Sequence, residues 1–170
     1  QQGIIGVRIY ARGDAATTER MIAETEAEVR RRLREAVFGV DEETLPEAVG
    51  KLLRARGATL ATAESCTGGL IGADLTSVPG SSEYYLGGVV CYANAVKIAQ
   101  VGVPADVLKE HGAVSAPVAE ALAAGVARRL GATYGLSITG IAGPAGGSDT
   151  KPVGLVFIGL YGAGRMEVWE

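Results

Sequence analysis

Cysteine is nearly missing from this chain, with only Cys66 and Cys91 among 170 residues. Two cysteines build neither a disulfide framework nor a zinc set, and a reducing cytoplasm fits such a chain best. Histidine is scarcer still, at His111 alone, and the carboxylates are not grouped, so no metal and no other cofactor is expected. Long apolar runs are lacking too: nothing approaches the roughly 18 residues of a membrane span. The opening QQGIIGVRIYARGD has no basic stretch followed by an apolar one, so it is not a secretory leader. There is no excess of positive charge either. A net charge of −3 gives no nucleic-acid footprint. What the chain does have is 48% hydrophobic residues and 25 glycines, which cluster in turns. That composition supports one ordinary domain, or one domain plus a fragment.

Charge density divides the chain. Residues 1–43 hold 16 of the 35 Asp, Glu, Lys and Arg residues. This part reads as a strand, Ile4 to Tyr10, and a long helix from about Thr17 to Phe38 with Met21, Ile22, Val29, Leu33 and Val37 as an apolar stripe. Its Arg30, Arg31, Arg32 and Arg34 can touch phosphates. With Glu24, Glu26 and Glu28 one turn earlier, a solvated helix face is the simpler reading. Thr44 and Glu47 then have capping-box form and open a helix that Gly57 closes. From there strands alternate with helices: strand 58–63, helix 68–77, strand 87–92, helical pieces at 94–100 and 104–110, and a helix from Val118 to Leu130. Strand 134–139, a glycine loop over 140–152, strand 153–160 and strand 165–169 complete the chain. The alternation predicts a layered α/β/α domain with a mainly parallel sheet, ending in an antiparallel hairpin.

The stretch ATAESCTGG, residues 61 to 69, sets Glu64, Ser65, Cys66 and Thr67 on a strand-to-helix turn. A helix cap accounts for one hydroxyl there, but not for two flanking a thiol behind a carboxylate. A nucleophilic Ser65 accounts for more, with the N–H groups of Cys66, Thr67 or Gly68 facing a phosphate or a developing oxyanion. Such a serine needs a base. His111 sits at a helix end before Gly112, where a cation suits the backbone and needs no catalytic role. Lys97, in CYANAVK, follows a strand whose end would open on the same crevice, although an ordinary surface lysine is the alternative. Thr139 ends a strand, and Gly140, Gly143, Gly146 and Gly147 form a loop able to approach an anion, or simply a flexible connection. It is not a Walker A loop, and it does not match G-x-G-x-x-G. Glu64, Lys97 and Cys66 also resemble in type the Glu-Lys-Cys set of some amide hydrolases; a buried Cys66 is the commoner fate of a free cysteine.

AESCTGG, SVPGSSEYYLGGVVCYANAVK, HGAVS and TGIAGPAGGSDTKPVGLV, in this order and spacing, resemble the C-terminal domain of the CinA family of competence-damage-inducible proteins. That domain is also found alone as the nicotinamide-nucleotide amidase PncC. The resemblance covers about residues 44 to 170, and residues 1–43 are similar to the tail of the family's KH-like middle segment. It implies an amidohydrolase that converts nicotinamide mononucleotide and water to nicotinate mononucleotide and ammonia, in pyridine-nucleotide salvage. By the same resemblance Ser65 is the nucleophile, Lys97 its base and Tyr92 a proton-relay partner. Glu64, Thr67, Gly68, Gly69, Thr139, Gly140 and Gly143 would line the substrate site, with the Thr67-Gly68-Gly69 turn and the glycine loop on the phosphate. A homodimer or higher homo-oligomer is expected, with neither membrane nor nucleic acid as partner. Two family features have no counterpart in the sequence: the N-terminal molybdopterin-binding-like domain, tied to metal-dependent ADP-ribose pyrophosphatase activity, and a helix after the final strand that bears an arginine near the substrate. The alternative function is a non-catalytic nucleotide-binding or assembly module in competence or DNA-damage responses.

Overall fold

A computed structural model describes residues 3–170, which divide into two compact units meeting between Leu45 and Pro46. In the first unit, helix α1 runs Ala15–Leu33. Asp14 starts it, its carboxylate accepting from the Thr17 N–H at 3.0 Å and the Thr17 hydroxyl at 2.8 Å. The helix begins two residues before the expected point because that cap is Asp14. It gives way at Arg34, where the backbone turns to φ +48°, to a single 3₁₀ turn, Arg34–Ala36, and does not run on to Phe38. The expected strand at Ile4–Tyr10 is absent. Residues 4–12 pair with no other strand among the described residues, and a strand without a ladder has nothing to satisfy its backbone. Arg30 bonds Glu26, and Arg31 and Arg32 both bond Glu28, as a solvated helix face requires.

The second unit is built on one five-stranded sheet in the order β2-β1-β3-β4-β5. The strands are β1 (Leu60–Glu64), β2 (Tyr85–Val90), β3 (Tyr134–Gly140), β4 (Val156–Gly162) and β5 (Arg165–Trp169). β2, β1 and β3 are parallel, whereas β3–β4 and β4–β5 are antiparallel. All five residues of β1 are buried, which is why its sequence LATAE carries no charge before its last position. The β4–β5 connection is a two-residue turn with Ala163 and Gly164 at φ +50° and +75°, the positive-φ pair of a tight hairpin.

Helices cover both faces. On one side α6 (Ala116–Leu130) lays Val118, Leu122 and Val126 against Ala61, Ala63, Cys91, Val101, Val103 and Leu108. On the other, α2 (Leu45–Ala55) and α3 (Leu70–Thr76) bring Leu53 and Leu75 onto Leu60 and Tyr84. The result is an α/β/α sandwich, as the alternation of elements requires. Between β2 and β3 the chain passes through one α-helical turn, α4 (Asn94–Val96), a π turn over Lys97–Val101, and helix α5 (Ala105–His111). β1 has β2 on one side and β3 on the other. The crevice beyond the carboxyl ends of these strands is therefore the switch point where open α/β sheets bind ligands.

Candidate active site

Ser65 is the first residue past β1, pinned there from both sides. Its N–H donates to the Ile138 carbonyl of β3 at 2.9 Å, and the Cys91 N–H donates to the preceding Glu64 carbonyl at 2.8 Å. The hydroxyl thus stands at the switch point on a fixed backbone. Lys97 comes to it from the π turn, a widened turn of the kind found at functional positions. Its Nζ lies 3.0 Å from Ser65 Oγ, 2.7 Å from the Cys91 carbonyl oxygen and 2.8 Å from that of Tyr92. Lys97 is 1% exposed, and among the described residues no carboxylate bonds its amine. Burial lowers its pKa from the ordinary 10.5, opposed only in part by the two neighbouring thiols. A neutral amine has two N–H groups and one lone pair. The two shorter contacts absorb the N–H groups, leaving the lone pair for the serine proton.

The thiol beside Ser65 is of the other character. Burial raises the Cys66 pKa, against the N–H groups of Cys66 and Thr67 and the charge of Lys97, so it stays a protonated thiol at neutral pH. Its sulfur packs toward Gly140, where a Cβ would come within 3.1 Å of it and within 2.8 Å of the Leu155 carbonyl oxygen. Cys91 is wholly buried and likewise raised by burial.

Other expected site residues have different surroundings. Glu64 is 2% exposed and its carboxylate turns inward, accepting from the Thr67 hydroxyl, from the Gly69 and Ile71 N–H groups, and from the Gly72 N–H at 2.8 Å. The Thr67-Gly68-Gly69 turn therefore does not offer its Thr67 hydroxyl and Gly69 amide to a phosphate; an internal anion already holds them. Gly68 is exposed with open space before it. Tyr92 gives Lys97 its carbonyl, but its side chain is 75% exposed and its phenol bonds neither Lys97 nor Ser65. A relay through that phenol is not built into this arrangement. Thr139 is fully buried and spends its hydroxyl on the Ala113 carbonyl at 2.7 Å, fixing the 112–115 segment instead of lining the crevice. Gly143, at φ +77°, packs against Val153 within the glycine loop. Lys151 clasps that loop to the end of α5 through the carbonyls of His111 and Val114, both at 2.7 Å. His111 is the last residue of α5 and is paired weakly with Glu110, so Lys97 and not histidine reaches the serine. The carbonyls of Cys91 and Tyr92 and the inward Glu64 carboxylate carry no sequence signature, because main-chain acceptors and side-chain direction are set by the fold.

Among the described residues no group of three His, Cys, Asp or Glu side chains stands ready for a metal, and no helix is long and apolar enough to cross a membrane. The CinA C-terminal domain model matches residues 42–170. A putative competence-damage inducible protein of Halothermothrix orenii is 55% identical over 144 residues, which cover 85% of this chain and 35% of that protein. A CinA-like protein of Acaryochloris marina is 54% identical over 170 residues, covering 99% of this chain and 41% of its own length. The chain thus spans well under half of these curated relatives. Among solved structures, the competence/damage inducible protein CihA of Agrobacterium tumefaciens superposes with a TM-score of 0.73 at 40% identity, over 79% of this chain and 82% of that one. A CinA superfamily protein of Escherichia coli gives 0.72 at 30% identity, over 81% and 83%. Sequence, fold and the spacing of the motifs around Ser65 and Lys97 agree: this chain belongs to the CinA family, through its C-terminal domain.

Proposed function

We propose that the chain is an amidohydrolase in which Ser65 attacks a carboxamide and Lys97 serves as its base, with nicotinamide mononucleotide as substrate. The observation that carries this reading is the Lys97 Nζ to Ser65 Oγ contact of 3.0 Å, made by a buried amine whose pKa burial lowers. The choice of substrate rests on the resemblance of the motifs to those of nicotinamide-nucleotide amidases. In the first step the Ser65 Oγ–H proton passes to the Lys97 amine as Oγ bonds the carboxamide carbon. The amides of Cys66 and Thr67, which donate to no backbone carbonyl among the described contacts, are the donors at hand for the oxyanion. Lys97 returns the proton to the departing nitrogen, releasing ammonia and leaving an acyl ester on Ser65. Water, deprotonated by Lys97, then attacks the ester carbon. As the acyl–Oγ bond breaks, Lys97 returns that proton to Ser65 Oγ, giving nicotinate mononucleotide and the free serine.

Ammonia release from nicotinamide mononucleotide tests the reading. Ser65→Ala is expected to abolish turnover with the fold intact, and Cys66→Ser to keep most of it. Loss with the cysteine change and retention with the serine change would hand the nucleophile to Cys66. Tight nucleotide binding without ammonia release would establish the non-catalytic module instead.

A further inference from the structure

The start of α3 in an α/β sheet of this kind is where a substrate anion is expected to sit, because the first N–H groups of a helix have no partner within it. Here that position is filled from inside the chain. Glu64 Oε2 accepts from Thr67 Oγ1 at 2.8 Å and from the Gly69 and Ile71 N–H groups, each at 3.1 Å; Oε1 accepts from the Gly72 N–H at 2.8 Å. The same residue is the last of β1, paired with Val90 and Ile138, and its carbonyl takes the Cys91 N–H. Glu64 therefore ties the sheet to the turn and the turn to the helix, immediately before Ser65. Gly69 takes φ +103°, a backbone conformation that favours glycine, and a Cβ on Gly72 would stand 2.8 Å from the Tyr85 hydroxyl, so both glycines fit the turn and helix start closely. A carboxylate so placed both occupies the slot and repels a second anion from it.

We propose that Glu64 is a positioning residue. It acts as a built-in anion that sets the Ser65 turn before substrate arrives and closes the start of α3 to the substrate's phosphate, which must be held elsewhere in the crevice. The kinetic part of this inference rests on the amidase reading above; the anion-binding part does not.

The test uses the full chain, with formate as a carboxylate probe and formamide as its neutral counterpart. Truncation in Glu64→Ala empties the slot while leaving its donors. Its kcat is expected to fall about 100-fold with little change in KM, as a displaced nucleophile would cause. Formate should then restore kcat and raise the melting temperature in a saturable way, while formamide does neither and the unaltered chain responds to neither. The melting measurement needs no turnover, so it still decides if the chain proves not to be an amidase. A raised KM at unchanged kcat, or no response to formate in either readout, would overturn the proposal. Should Glu64→Ala not fold, the unaltered chain titrated with inorganic phosphate gives the answer. The amide signals of Gly69, Ile71 and Gly72 are expected to stay put, and saturable movement of those signals would mean that the turn is open to anions.

Discussion

A lysine in water holds its proton until about pH 10.4 and is no base at neutrality. Lys97 is removed from water, its amine held by two carbonyls and a hydroxyl, and burial lowers its pKa. Turnover should therefore rise with pH through the lowered value, since only the neutral amine accepts the serine proton. Lys97→Arg keeps a cation but supplies no neutral base, so it is expected to be nearly as inactive as Lys97→Ala. Substantial turnover in Lys97→Arg, with a raised substrate requirement, would make Lys97 a phosphate clamp. The same shift has a consequence for stability. The unfolded chain holds this proton more tightly than the folded one, so stability should climb with pH from the lowered value up to the ordinary 10.5. Urea unfolding at stepped pH should show that climb, and Lys97→Met should lack it. At this scale Ser65 and Lys97 were legible because their residue types and motifs are specific. That Tyr92 turns an exposed ring outward and Thr139 spends its hydroxyl on Ala113 was not legible, because a motif records that a residue is present and not which of its atoms is used.

The π turn that carries Lys97 is held from below by α6. A Cβ on Gly125 would run into the Val101 carbonyl at the end of that turn, so the absence of a side chain at this helix position is what lets the two elements close. Gly125→Ala improves intrinsic helix propensity yet is expected to destabilise the chain by about 1–3 kcal/mol through overpacking. It should also lower turnover out of proportion, by shifting Lys97 from Ser65. Chemical denaturation together with the ammonia assay checks both; a stabilised and fully active variant would show that the contact relaxes freely. Element identity came from periodicity and worked for α6, whose Leu122, Val126 and Leu130 recur every four residues, and for the glycine-turned hairpin. It failed at Ile4–Tyr10, where apolar β-branched residues suggest a strand but no partner strand accompanies them among the described residues. It also gave no hint of the π turn, since one extra residue in a turn leaves the apolar spacing almost unchanged.

All residues of the candidate site lie in the unit Pro46–Glu170, which contains both apolar clusters. A chain beginning near Thr44 is therefore expected to keep its heat-unfolding transition and to match the full chain in the ammonia-release assay of the proposed function. Loss of activity in a folded shortened chain would assign residues 3–43 a part in the site. The charge contrast between the two parts of the sequence marked this division, because a helix without buried residues can carry charge all round while a two-faced sheet domain cannot.

The sequence by itself determined the layered α/β architecture, the strand-to-helix turn at Ser65 and the candidacy of Lys97. Each of these depends on local pattern: buried strands read as apolar runs, helices repeat about every four residues, and turns declare themselves in glycine. The tertiary structure alone decided that Lys97 reaches Ser65 across 32 positions of chain, that two carbonyls orient its amine, and that Glu64 faces the helix and not the crevice. These are distances and directions between elements, fixed by how the sheet orders its strands and how closely α6 packs beneath the π turn, and no spacing along the chain encodes them.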